Sequence, residues 1–158
     1  MVDKNILPSS LIQLSLFNNG LEKIDISGLS NIALLYLRNN RLTSFRMGNN
    51  NGLIELYLHH NSLKKFDIGK NNSLKKLNLG KNELTHFSLG ENNSLTQLHL
   101  NNNRLNSLDV EENRKLELIS IYENDLKDVP NLPESVRVLK VDGNIVQGYD
   151  FKGLVNLK

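Results

Sequence analysis

His59 and His60 stand side by side in a chain of 158 residues, and two adjacent imidazoles are a possible beginning of a metal site. A site needs further ligands at fixed spacing, and neighbouring residues of an extended strand point to opposite faces. The chain has no cysteine, which excludes disulfides, thiolate-bound zinc and cysteine nucleophiles. No serine sits in a GxSxG elbow, and carboxylates beside the histidines are few, so neither a hydrolase constellation nor a metal is expected. The segments GNNNG, GKNNS and GENNS share the composition of phosphate loops but not the GxxxxGKS or GxGxxG spacing. No cofactor and no enzymatic activity are expected. Asn71-Asn72-Ser73 and Asn92-Asn93-Ser94 match a glycosylation sequon, as an Asn- and Ser-rich chain will by composition alone.

A second candidate chemistry is electrostatic. Residues 53–81 carry six lysines against two acids, while residues 109–134 carry eight acids against three bases. Lys64, Lys65, Lys70, Lys75, Lys76 and Lys81 could face an anionic surface or nucleic acid. They lack the interleaved aromatic track that single-strand binders use. The third candidate is recognition by aromatic side chains, and it depends on the elements that place them.

Those elements are set by a repeat. Leucine (31 residues) and asparagine (25) together exceed a third of the chain. A hexad LxxLxL begins at Leu11, Ile32, Leu53, Leu74, Leu95, Leu116 and Val136; a second hexad of the same form begins at Leu21, Leu42, Leu63, Leu84, Leu105 and Leu126. Of the 39 leucine-type slots 38 are apolar, Asn131 being the exception, so each hexad is an extended segment with one buried face. Three residues after each first hexad stands an asparagine: Asn19, Asn40, Asn61, Asn82, Asn103, Asn124 and Asn144. An amide both donates and accepts, so this column can satisfy the backbone of its own and the next coil at a tight corner. After the second hexad the corner position varies, reading Ser30, Asn51, Asn72, Asn93 and Arg114. Phe45, Phe66 and Phe87, one per coil in the second hexads, read as a core spine.

The pattern LxxLxLxxNxL over seven coils resembles the leucine-rich repeat. Its 21-residue period is similar to that of bacterial, internalin-like repeats, and LPSSLIQL (7–14) and LPESVRVL (132–139) resemble the LPX repeats of secreted bacterial effectors. The resemblance implies a right-handed solenoid with a concave parallel sheet of about seven strands, short strands or extended turns on the convex side, and little helix. One domain, 1–158, is expected, ending as a further repeat begins at GLVNLK. The chain shows no signal segment and no apolar run that spans a bilayer. The resemblance implies export by a specialised secretion system, the alternative being the cytoplasm.

In such a coil the residues between the leucines face outward. On the concave side the central column is Ser15, Tyr36, Tyr57, Asn78, His99, Ser120 and Lys140. Its flanks are Gln13, Leu34, Glu55, Lys76, Gln97, Leu118 and Val138, and Phe17, Arg38, His59, Gly80, Asn101, Tyr122 and Asp142. Interfaces enrich aromatic residues and arginine, so Phe17, Leu34, Tyr36, Arg38, Tyr57, His59, His99 and Tyr122 are the candidate partner-binding residues. A protein partner is expected, which the resemblance extends to a host protein; the alternatives are the anionic surface or nucleic acid above, or a purely structural repeat fragment with no partner of its own. Membrane spans are not expected, and the chain is expected to be monomeric unless exposed repeat ends associate. The convex column, Asp25, Arg46, Asp67, Ser88, Asp109 and Pro130, shows nothing that invites a partner.

Overall fold

The computed structural model describes residues 7–48, 50–90 and 92–142. Asn144 and the GLVNLK segment lie outside the described residues. Nine strands of three residues each follow the chain: β1 (Gln13–Ser15), β2 (Lys23–Asp25), β3 (Leu34–Tyr36), β4 (Ser44–Arg46), β5 (Glu55–Tyr57), β6 (Lys76–Asn78), β7 (Gln97–His99), β8 (Leu118–Ser120) and β9 (Val138–Lys140). No helix occurs among the described residues.

The first hexads form one seven-stranded parallel sheet in the order β1-β3-β5-β6-β7-β8-β9. Register follows the repeat: Leu14 pairs with Leu35, Leu35 with Leu56 and Leu56 with Leu77, each exactly one coil on. A slip of a single residue would turn every leucine out to solvent, which is why the register is unambiguous. Leu35, Leu56, Leu77, Leu98 and Ile119 are fully buried, and the second-hexad slots Ile24, Ile26, Leu42, Leu63, Leu84 and Leu105 close the same core from the other side.

On the convex side only β2 and β4 pair as strands among the described residues. Tyr36 and Tyr57 stack on the concave sheet with centroids 5.0 Å apart, whereas Phe45–Phe66 and Phe66–Phe87 on the convex side are 6.0 and 6.3 Å apart. Beyond β2 and β4 the convex segments are joined coil to coil at their starts, where Ser62, Glu83 and Arg104 N–H donate to Leu42, Leu63 and Leu84 O. Phe45 and Phe66 are half-buried against the core and only Phe87 is buried, so the phenylalanine column is the outer wall of the core, not its interior.

The corners carry two amide ladders. In the first, the Oδ1 atoms of Asn40, Asn61, Asn82, Asn103 and Asn124 accept from the N–H groups of Leu21, Leu42, Leu63, Leu84 and Leu105. The Nδ2 of Asn82 donates to Leu58 O and Leu79 O, at 3.1 and 3.0 Å, and the others repeat this pattern. The amide therefore serves its own coil and the preceding one, not the next as its sequence position suggested, because it lies against the coil already behind it. Among the described residues Asn19 makes no such bond to a preceding coil: its Nδ2 donates to Phe17 O, and it is exposed.

The second ladder is Asn50, Asn71, Asn92 and Asn113, all buried. Each Nδ2 donates to a backbone carbonyl 21 residues back: Leu29, Asn50, Asn71 and Asn92. The corner after the second hexad is thus as regular as the first; the regularity sits one residue before the variable positions Asn51, Asn72, Asn93 and Arg114. Between the ladders, Asn18, Asn39, His60, Lys81, Asn102 and Glu123 all hold positive φ, between 53° and 60°.

Candidate interaction surface

The concave sheet presents its aromatic side chains as a graded array. Parallel in-register pairing sets Tyr36 beside Tyr57, and the rings stack almost coplanar, with an interplanar angle of 5°. The Tyr57 hydroxyl donates to Glu55 at 2.9 Å, and the other carboxylate oxygen of Glu55 lies 3.0 Å from Lys76 Nζ on the next strand. Burial, then the hydrogen bond to the Glu55 carboxylate and its charge, push the Tyr57 hydroxyl up to about 12. It stays a donor at every physiological pH. The ring is fixed by a stack on one side and a three-residue polar chain on the other.

His59 meets Tyr57 edge to face with centroids 6.4 Å apart, and meets His60 at 5.7 Å. Its Nδ1 is sealed from solvent and has no hydrogen-bond partner among the described residues. Burial first, then the charges of His60, Arg38 and His99, lower His59 to about 4, so the ring is neutral near neutrality. Among the described residues no group of three potential ligands surrounds the two imidazoles. Burial and Lys140 also lower His99, which stands two strands from Tyr57 with Asn78 between them.

Arg38 does not join the tyrosines. Its guanidinium sits 4.7 Å above the ring of Phe17, which is 42% exposed, and forms a separate cation–π unit at the lip of the sheet. The sequence groups Tyr36, Tyr57, Arg38 and His59 on one face; the structure stacks Tyr36 on Tyr57 with His59 at the edge, and sets Arg38 on Phe17, where its charge still acts on His59. Leu34 and Tyr122 are half-buried on the flanking columns, and His99 lies apart within the sheet.

Sequence reasoning missed the role of the convex column. The carboxylates of Asp25, Asp67 and Asp109 accept from the N–H two residues on, as does the Ser88 hydroxyl, so the column caps corners. The signal was available: Asp or Ser followed two residues later by the corner. Thr43, Ser44, Lys65, Asp67, His86 and Ser88, with the three phenylalanines, also line a shallow convex groove of about 660 Å³. The two sequons are closed off, since Asn71 and Asn92 are 2% and 1% exposed and their amides are spent in the second ladder.

No family model and no curated protein matches the sequence. Solved structures do match. The functional domain of InlJ from Listeria monocytogenes, which includes a cysteine ladder, superposes with a TM-score of 0.88 at 22% identity, over 94% of this chain and 34% of that one. A leucine-rich-repeat protein of Leptospira interrogans superposes with a TM-score of 0.79 at 27% identity, over 95% of this chain and 42% of that one. The present chain spans less than half the length of either, and with no cysteine it builds its corner ladders from asparagine alone. Sequence period, sheet topology and these two likenesses agree: the chain is a leucine-rich-repeat solenoid of the type these bacterial proteins carry.

Proposed function

We propose that the chain is a non-enzymatic module that binds a protein partner through its concave sheet, at Tyr36, Tyr57 and His59 with Phe17 and Arg38 at the lip and Leu34, His99 and Tyr122 on the flanks. The leucine-rich-repeat fold is in general a protein-interaction scaffold. The observation that carries the reading to this face is the Tyr36–Tyr57 stack tied through Glu55 to Lys76. Aromatic side chains held rigid before binding bury area at little further entropic cost. The likeness to bacterial proteins supports an extension to a secreted protein acting on a host protein. Binding of an anionic surface is less supported, because Lys76 is already paired with Glu55 and the other lysines lie on different sides of two coils.

The test is capture of partners from host-cell lysate, followed by affinity measurement on whichever protein is recovered. Tyr36→Ala with Tyr57→Ala should abolish binding while the far-UV spectrum is unchanged; hot-spot truncations cost about 2 kcal/mol or more each. Lys65→Ala on the convex side should leave affinity unaltered. Asp67→Ala is a poorer control, since Asp67 caps the corner at Gly69. Greater loss from the convex change than from the tyrosine pair would place the working face elsewhere.

A further inference from the structure

We propose that Asn51 is a site of spontaneous deamidation, a slow covalent modification that the fold permits at this corner and suppresses at the equivalent ones. Asn51 is exposed and its side chain makes no hydrogen bond among the described residues. It precedes Gly52, whose N–H likewise donates to no acceptor there. The same corner in the next two coils is different. The Ser73 N–H donates to Asn71 Oδ1 at 3.0 Å, and the Ser94 N–H donates to Asn92 Oδ1 at 3.2 Å. The homologous acceptor in the earlier coil, Asn50 Oδ1, is buried without a partner. Leu53 N–H, whose counterparts Leu74 and Leu95 donate to the side-chain oxygen at 2.8 and 3.0 Å, instead reaches the Asn50 backbone carbonyl at 3.5 Å.

An N–H engaged by a ladder oxygen is held away from attack on its neighbour's amide carbon; the Gly52 nitrogen is not, and it has no side chain to hinder the approach. The step balances. The Gly52 nitrogen bonds to Asn51 Cγ, its proton is passed by solvent to Asn51 Nδ2, the Cγ–Nδ2 bond breaks and ammonia leaves. Water then opens the cyclic imide at either carbonyl, giving aspartate or isoaspartate. Isoaspartate routes the backbone through one extra carbon beside Asn50, whose carbonyl receives the Asn71 amide at 2.7 Å. Asn19-Gly20 is the other Asn-Gly pair among the described residues, and its Gly20 N–H also donates to no acceptor there; the difference lies in the side chain, since the Asn19 amide is tied to Phe17 O and so held from swinging toward that nitrogen, whereas the Asn51 amide is not.

The experiment incubates the folded 158-residue chain in mildly alkaline buffer, digests timed samples and reads peptide masses. The peptide holding Asn51 should be the first to gain the mass of an amide-to-acid exchange and to split into two chromatographic forms, with Asn19 later and Asn61, Asn82 and Asn103 unchanged. In denaturant Asn51 and Asn19 should convert alike. Gly52→Ala, where φ is not positive and an added Cβ meets Ser30 O at 3.2 Å, should keep the fold and slow conversion at Asn51. Conversion of Asn19 as fast as Asn51 in the folded chain, or of any ladder amide ahead of Asn51, would overturn the proposal. A difference between the two Asn-Gly pairs that survives denaturation would overturn it as well.

Discussion

His59 carries its neutrality into acid, where an exposed histidine would already be charged. Its proton affinity in the fold is lowered to about 4 against an ordinary 6.5, so on acidification the unfolded chain takes up the proton first. The contribution of His59 to stability is therefore complete above about pH 6.5 and is lost progressively as pH falls toward about 4. His59→Gln should flatten that part of the stability-versus-pH curve, measured by urea unfolding against the parent chain; parallel curves would show that folding does not lower the proton affinity of the ring. Asn82 is a simpler case. Its amide closes three backbone groups from within the core, so Asn82→Ala should cost about 1–3 kcal/mol, and an unchanged urea midpoint would mean water replaces it. Lys81 holds φ at 53°, a conformation in which asparagine is far more at ease than lysine. Lys81→Asn should raise stability by up to about 1 kcal/mol in the same assay. The sequence told which residues share a column, but not that Arg38 would choose Phe17 over the tyrosines, since that depends on side-chain rotation about bonds the repeat does not constrain.

Each coil is two extended segments joined by two corners, and the segments were legible because alternation of apolar and polar residues has one period only. The corners were legible in part. The first ladder stands out because its asparagines follow directly from the sheet hexads, whereas the second was obscured by runs such as Asn50-Asn51 and Asn71-Asn72, in which an exposed amide follows the buried one. Which convex segments pair as strands and which run as extended turns could not be read, because the second hexads from Leu21 to Leu105 all carry the same alternation. Glycine at the second corner is demanded twice at Gly48, where φ is 65° and an added Cβ would lie 2.5 Å from Ser27 Cβ. Gly20 has the same φ but open space around it. Gly20→Ala should therefore cost about 1–2 kcal/mol from backbone strain alone. Gly48→Ala should cost about 1–3 kcal/mol more from overpacking, a difference that paired thermal melts would resolve.

A stack of coils is held together only through neighbours, so the same substitution has different weight along its length. Leu77 is fully buried between β5 and β7, with a coil on either side; Leu14 lies in the first strand and retains 8% exposure. Leu77→Ala should cost about 2–5 kcal/mol and broaden the urea transition as the two halves begin to melt separately, while Leu14→Ala costs less and leaves the transition sharp. Equal losses at both positions would indicate a core that behaves as one undivided body. The direction in which the asparagines reach adds something that stability alone does not capture. Both ladders bond backward, Asn61 to Leu37 and Leu42, Asn92 to Asn71. During synthesis, which proceeds from the N-terminus, each new corner thus finds its partners in the neighbouring coil already translated, and the forward bonds of Asn71 and Asn92 reach only two or three residues on. The molecule can be assembled in the order in which it is made, one turn closing upon the last.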